Sequence, residues 1–193
     1  SLDERAFLIN QAIQHALSGQ DFALAVQLIE DHGLDMLYQW YARVVTGWMQ
    51  ALPPEWLAKS PRANLAFARY HLIHADFAQA GPYIARLQDL FSGHYPDESA
   101  WPGAGLQAEW LALQSNLVGG QGRPIEALAL AQQALELAPR AEVGVLSQVF
   151  LALALAYQQL DDRVHAEQAY RRLIQAGRSA GDLVAELLGL SAL

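Results

Sequence analysis

Few residues in this chain have the types and spacing that chemistry needs. His71 and His74 lie three apart with Asp76 just beyond, a spacing at which two imidazoles on one helix can share a metal. A third ligand is not evident, and packing of His71 against a neighbouring helix is the competing reading. Gly119-Gly120-Gln121-Gly122-Arg123-Pro124 has the look of a phosphate cradle at a helix start, but it carries no Lys and follows no strand, so it reads as a turn. The carboxylate pairs Asp161-Asp162 and Asp97-Glu98 fall in turns, where such residues cap helices or face water. His15, His32, His94 and His165 are isolated. There is no Gly-x-Ser-x-Gly elbow, and the absence of Cys removes thiol nucleophiles and thiolate metal sites. The expectation is therefore no catalytic residues, no metal and no cofactor in this segment: a binding protein and not an enzyme.

Such a protein depends on the elements that present its polar residues. With 53% hydrophobic residues the chain can build a substantial core. Much of that content is Ala and Leu, which favour helices, and mean hydropathy is only +0.09. Apolar residues recur at helical spacing almost throughout, and no segment sustains the alternation of a half-buried strand. Helices are predicted over 4–18, 21–32, 35–51, 61–75, 77–92, 104–119, 124–138, 141–160, 162–177 and 181–191. Their breaks carry Gly19 before Asp21, Pro53-Pro54, Ser60-Pro61 and Pro124, and Ser92 to Gly105 reads as a long Pro- and Gly-rich connection.

The net charge of −8, with its 12 basic residues scattered, argues against nucleic-acid binding by this segment. No apolar run is long enough to span a bilayer, and Ser1-Leu2-Asp3-Glu4 lacks the layout of a signal peptide. A cytoplasmic piece of a longer protein, without membrane contact, is expected.

Small and apolar residues return four times with internal intervals of three, nine, four and three. The copies are Ala154, Tyr157, Ala166, Tyr170, Leu173; Ser115, Val118, Ala127, Ala131, Ala134; Ala68, His71, Ala80, Ile84, Leu87; and Ile13, Ala16, Ala25, Ile29, His32. Each copy fits a helical hairpin whose turn lies in the nine-residue interval, with a small residue after the turn where two helices approach closely. The framework resembles the tetratricopeptide repeat (TPR), although the copies start 55, 47 and 39 residues apart and the Trp-Leu-Gly signature of the first helix is missing. The predicted fold is all-α: an irregular TPR-like α-solenoid of antiparallel hairpins with about nine to ten helices. It would form a single domain, 1–193, with hairpins near 4–32, 61–92, 104–138 and 141–177.

A narrower resemblance rests on wording. His15-Ala16-Leu17-Ser18-Gly19-Gln20-Asp21-Phe22 with Ala25 and Leu28-Ile29-Glu30, then Trp48-Met49-Gln50-Ala51-Leu52-Pro53-Pro54-Glu55-Trp56-Leu57 and Ser60-Pro61-Arg62, resemble the helical region of MalT-like, ATP-dependent LuxR-type bacterial transcription regulators. The resemblance implies the region that receives an inducer or a regulatory protein, with ATP and DNA bound by other domains. This chain contains neither a G-x-x-x-x-G-K-[ST] loop nor a basic recognition helix.

In stacked hairpins the first helices line the inner, binding surface. Positions turned away from the partner helix are Asn10, Gln14, Arg62, Arg69, Glu109, Asn116, Gln148 and Gln158. Mostly amides and arginines, they suit a neutral polar ligand or a peptide backbone, or they form a plain solvated stripe. Of the five Trp residues, Trp40 and Trp48 read as packing, whereas Trp101 in the long loop is a candidate exposed aromatic contact. Leu183, Leu187, Leu188 and Leu190 form an apolar stripe on the last helix, which predicts either a cap on the chain's own body or self-association. The alternative to a sensor is a stand-alone TPR-like adaptor that binds a protein segment.

Overall fold

The computed structural model describes residues 2–38, 42–92, 104–138 and 143–193. All regular structure among them is helical: α1 (Leu2–Ser18), α2 (Phe22–Tyr38), α3 (Ala42–Ala51), α4 (Pro54–Leu57), α5 (Pro61–Ile73), α6 (Phe77–Ser92), α7 (Ala104–Gly120), α8 (Pro124–Leu137), α9 (Val143–Gln159), α10 (Arg163–Ala180) and α11 (Leu183–Ala192). The all-α prediction holds. Most of the Ser92 to Gly105 connection, with His94, Asp97, Glu98 and Trp101, lies outside the described residues, as does Trp40.

The four repeat copies fall on the hairpins α1/α2, α5/α6, α7/α8 and α9/α10, and consecutive hairpins pack on one another. Nearly all framework residues are buried, including Ile13, Ala25, Ala68, Ala80, Val118, Ala127, Ala154 and Ala166. The hairpins share one turn. Its pivot is a residue in the left-handed region, with φ of 58° at Gln20, 54° at Ala75, 80° at Gly122 and 57° at Asp161. The next N–H then reaches back to a framework carbonyl: Asp21 to Ala16 at 2.9 Å, Asp76 to His71 at 2.8 Å, Arg123 to Val118 at 3.2 Å and Asp162 to Tyr157 at 3.0 Å. This satisfies carbonyls orphaned at the end of the first helix. The same residue, when it is Asp, caps the second helix through Oδ1, which accepts from the N–H of Leu24, Gln79 or His165. The α10/α11 corner repeats the pattern, with Gly181 at φ 69° and the Asp182 N–H on the Gly177 carbonyl at 2.9 Å.

Two predicted boundaries are corrected. A helix end was expected at 32, before a new helix at 35, but α2 runs through Gly33. Gly33 has an ordinary helical backbone, and a Cβ there would meet Ile29 and the Ala66 Cβ of α5 only at contact distance, 3.4 and 3.7 Å, so nothing at this glycine ends the helix. The helix predicted over 162–177 continues to Ala180, because it is Gly181, and not Gly177, that takes the left-handed conformation. A short helix, α4, was not anticipated; Pro54 opens it.

The core is a chain of three main apolar clusters. One joins α1, α2, α3 and α5 around Trp48, and the words of the narrower resemblance meet there: Phe22 packs on Trp56 with ring centroids 6.2 Å apart, and Ser60 donates to Glu30 at 2.6 Å. The next two share α7, which gives Leu113 and Leu117 to one and Ala108, Leu111 and Ala112 to the other. Being covered on both sides, α7 has apolar residues all round.

The shared turn makes a testable statement about strain. Ala75 pays for its left-handed backbone with a Cβ clash that glycine lacks, so Ala75→Gly should stabilise the protein by about 0.5–1 kcal/mol. Ala78→Gly, at an exposed position inside α6, should destabilise by about as much. Urea denaturation distinguishes the two, and equal losses in both variants would refute the strain argument.

Candidate functional site

Four deeply buried polar residues, Arg69, Ser147, Gln148 and Asp182, converge on the start of α11. Every residue of α5 from Ala63 to Arg69 is buried, so this stretch is covered on all sides and the one cation within it, Arg69, must find partners inside. Arg69 is 2% exposed and Asp182 0%; the Arg69 Nη2 donates to Asp182 Oδ2 at 2.8 Å. Ser147 Oγ, from α9, donates to the same oxygen at 2.9 Å. The Gln148 amide, turned with its oxygen toward Arg69 as the network requires, accepts from Nη1 at 2.9 Å and Nη2 at 2.7 Å. Asp182 Oδ1 meanwhile caps α11 through the Ala185 N–H at 3.0 Å. One carboxylate thus ties α5, α9 and α11 together. It does so where the equivalent turn residues, Asp76 and Asp162, sit half in water.

The expected open lining is therefore corrected for Arg69, Glu109 and Gln148, all of which are buried. Packing between hairpins covers these three: α5 lies against α2 and α7, and α7 against α9, while α11 packs on α10 and touches α9 and α2. Asn10 is half-buried and accepts from Trp48 Nε1 at 3.0 Å, so it holds α3 on α1. Asn116 is half-buried, with its Oδ1 buried and unbonded. Gln14 and Arg62 are exposed, and Gln158 is exposed while accepting a bond from the Tyr170 hydroxyl. Trp101 lies outside the described residues. Among the described residues the predicted set is thus not one open surface: three of its members are interior, two are half-buried and three are exposed.

Sequence reasoning missed Ser147 and Asp182. Asp182 carried a usable signal, because Gly181-Asp182 repeats the turn signature seen at Asp21, but nothing local marks a cap residue that also neutralises a cation 113 positions away.

His71 takes the packing role. Its ring stacks on Tyr83 of α6 with centroids 5.6 Å apart, and Nδ1 lies 3.5 Å from Asp76. His74 Nδ1 bonds the Tyr70 carbonyl at 2.8 Å, and since a carbonyl can only accept, that nitrogen carries the proton. Among the described residues no group of three His, Asp or Glu side chains is placed to hold a metal. None of their helices is long and apolar enough to cross a membrane. The Gly119–Pro124 segment is the α7/α8 turn, with Arg123 paired to Glu126 at 2.7 Å.

Two surface clefts flank the stack. One, of about 530 Å³, runs past Gln158, Tyr170 and the end of α11; its charges are already matched, Arg163 with Asp161 at 3.2 Å and Arg171 with Glu167 at 2.7 Å. The other lies between α3 and α5. On α11, Val184, Ala185 and Gly189 face inward, with Gly189 against Ile174, while Leu183, Leu187, Leu188 and Leu190 remain exposed. Comparison with protein-family models, with curated proteins and with solved structures finds no match.

Two outcomes follow from this geometry. Arg69→Met leaves the Asp182 carboxylate buried without its cation and should cost about 3–5 kcal/mol in urea denaturation. Adding Asp182→Asn, which keeps a capping side chain, should recover part of that loss; simple additivity of the two variants would show that the pair is not coupled. Burial lowers the His71 pKa below the usual 6.5, and the Asp76 carboxylate only partly opposes it. The unfolded chain then takes up this proton more readily, so the contribution of His71 to stability is complete above 6.5 and is lost as pH falls through the folded value. His71→Gln should flatten the stability profile on that acid side, as read by melting temperature against pH.

Proposed function

We propose that this chain is the effector-sensing and partner-binding region of a MalT-like, LuxR-type transcription regulator. In such a protein it would act in the cytoplasm, beside an ATP-hydrolysing module and a DNA-binding module. The observation that carries this reading is the Asp182 cluster. It gives the stack one discrete polar contact by which the last helix is either seated on α5 and α9 or released, and a sensor needs a two-state element of this kind. The packing of Phe22 on Trp56 and of Ser60 on Glu30 adds support, since these are the residues whose wording resembles that family. An inducer or regulatory protein that prefers one position of α11 would pass its binding energy on through that helix.

The exposed leucines of α11 favour a second reading, an adaptor whose last helix takes a protein segment or a second copy of the chain. Hydrogen exchange separates the two. In a sensor, a neutral sugar or metabolite from a screening panel changes amide exchange across 177–192, and Arg69→Met abolishes the change. Exchange that no small molecule alters, together with flanking coding sequence that encodes neither a phosphate loop nor a helix-turn-helix, would overturn the sensor in favour of the adaptor.

A further inference from the structure

The cleft between α3 and α5 is unlike the rest of this acidic surface. It is an open groove of about 480 Å³, lined by Arg43, Thr46, Gly47 and Gln50 from α3 and by Tyr70 and His74 at the end of α5, with no carboxylate among them. That volume suits a small metabolite. Sequence spacing explains the convergence. Arg43, Thr46, Gly47 and Gln50 follow one another at helical intervals along one side of α3, while Val45, Trp48 and Leu52 bury the opposite side in the N-terminal core. Tyr70 and His74 are four apart at the end of α5, their rings 4.5 Å apart at centroid.

The groups on this lining are donors in the main: a guanidinium, two hydroxyls and an amide. Arg43, like Arg62, Arg86 and Arg172, makes no ion pair with any of the described residues, whereas Arg69, Arg123, Arg163, Arg171 and Arg178 all do; of the unpaired ones it is Arg43 that lines a cleft without a carboxylate. The nearest acid on the same corner, Asp76, is engaged with His71 and with the Gln79 N–H. The carbonyl of Tyr70, which would repel an anion at this helix end, is held by His74 Nδ1. Gly47 leaves the floor open, since a Cβ there would meet nothing within 4 Å.

We propose that this cleft binds a small organic anion, a carboxylate or phosphate ester, with Arg43 supplying the charge and Gln50 and Tyr70 the directed hydrogen bonds. The site is distinct from the Asp182 cluster and goes beyond the sensor reading, because it would stand in an adaptor as well. Its seat on α3 matters, for that helix already packs on α1, α2 and α5 through the N-terminal core, and a ligand would add a polar link to α5 at the open side of the same contact.

The test is titration of the ¹⁵N-labelled chain, followed by NMR, with inorganic phosphate and with succinate, against glycerol and against sodium chloride at matched ionic strength. Saturable shifts confined to residues 43–50 and 70–75 are expected with at least one anion and with neither control; which anion saturates assigns phosphate or carboxylate as the recognised group. Arg43→Gln should weaken that binding roughly tenfold or more. Gly47→Leu should abolish it by filling the floor, while Arg62→Gln should leave it unchanged. Circular dichroism and a retained melting temperature establish that the variants fold. Absence of saturable shifts with both anions, or Arg43→Gln binding as tightly as the parent, would overturn the proposal. The hydrogen-exchange response of α11 is a separate readout, so a failed anion site and a failed sensor give different results.

Discussion

The carboxylate of Asp182 is the point on which the described helices close. Each hairpin can form from neighbours in sequence, held by a turn and a band of small residues. What no single hairpin provides is a reason for the start of the last helix to meet α5 and α9. Asp182 supplies it by using its two oxygens differently, one to end the run of unsatisfied N–H groups at the start of α11 and one to meet Arg69 and Ser147. Burial raises the stakes of that contact. A guanidinium enclosed by Ala63 to Phe67 and their neighbours costs several kcal/mol unless it is paired, so the fold that pairs it is strongly preferred to alternatives that leave it dry and alone.

Much of the architecture was legible because it is repeated and local. The intervals around Ala154, Ala127, Ala80 and Ala25 located four hairpins, because small residues are required wherever two helix backbones come close, whatever the surrounding sequence. The turns were less legible. Gln20, Ala75 and Asp161 adopt a left-handed backbone without being glycine, so composition did not announce them, although the Asp that follows each did. Gly33 misled for the opposite reason: a residue type that ends helices elsewhere here keeps a helical backbone within α2.

The candidate site was the least legible part. Facing away from a partner helix is a property of one hairpin, whereas exposure depends on every helix that packs later. Arg69 and Gln148 were placed on the correct side of their hairpins, yet that side is interior once the hairpins pack on one another. Arg43, by contrast, drew no notice in the sequence, because an arginine on the polar side of a short amphipathic helix is ordinary. Only the opposition of α3 to Tyr70 and His74 distinguishes it. The two sets differ in their partners. The Arg69 cluster has its partners within the chain, while Arg43 lines a surface cleft and makes no ion pair with any described residue.

The sequence distance across the Arg69–Asp182 bond has a consequence for the order of folding. Hairpin contacts in this chain span short loops and can nucleate in several places, whereas a bond between residues 113 apart must wait until the intervening helices are in position. A contact formed after the rate-limiting step governs how slowly the native state comes apart and has little bearing on how quickly it is reached. The buried pair therefore acts as a kinetic clasp: it sets the lifetime of the closed form against local opening and proteolysis, while the repeated turns set the speed at which that form assembles.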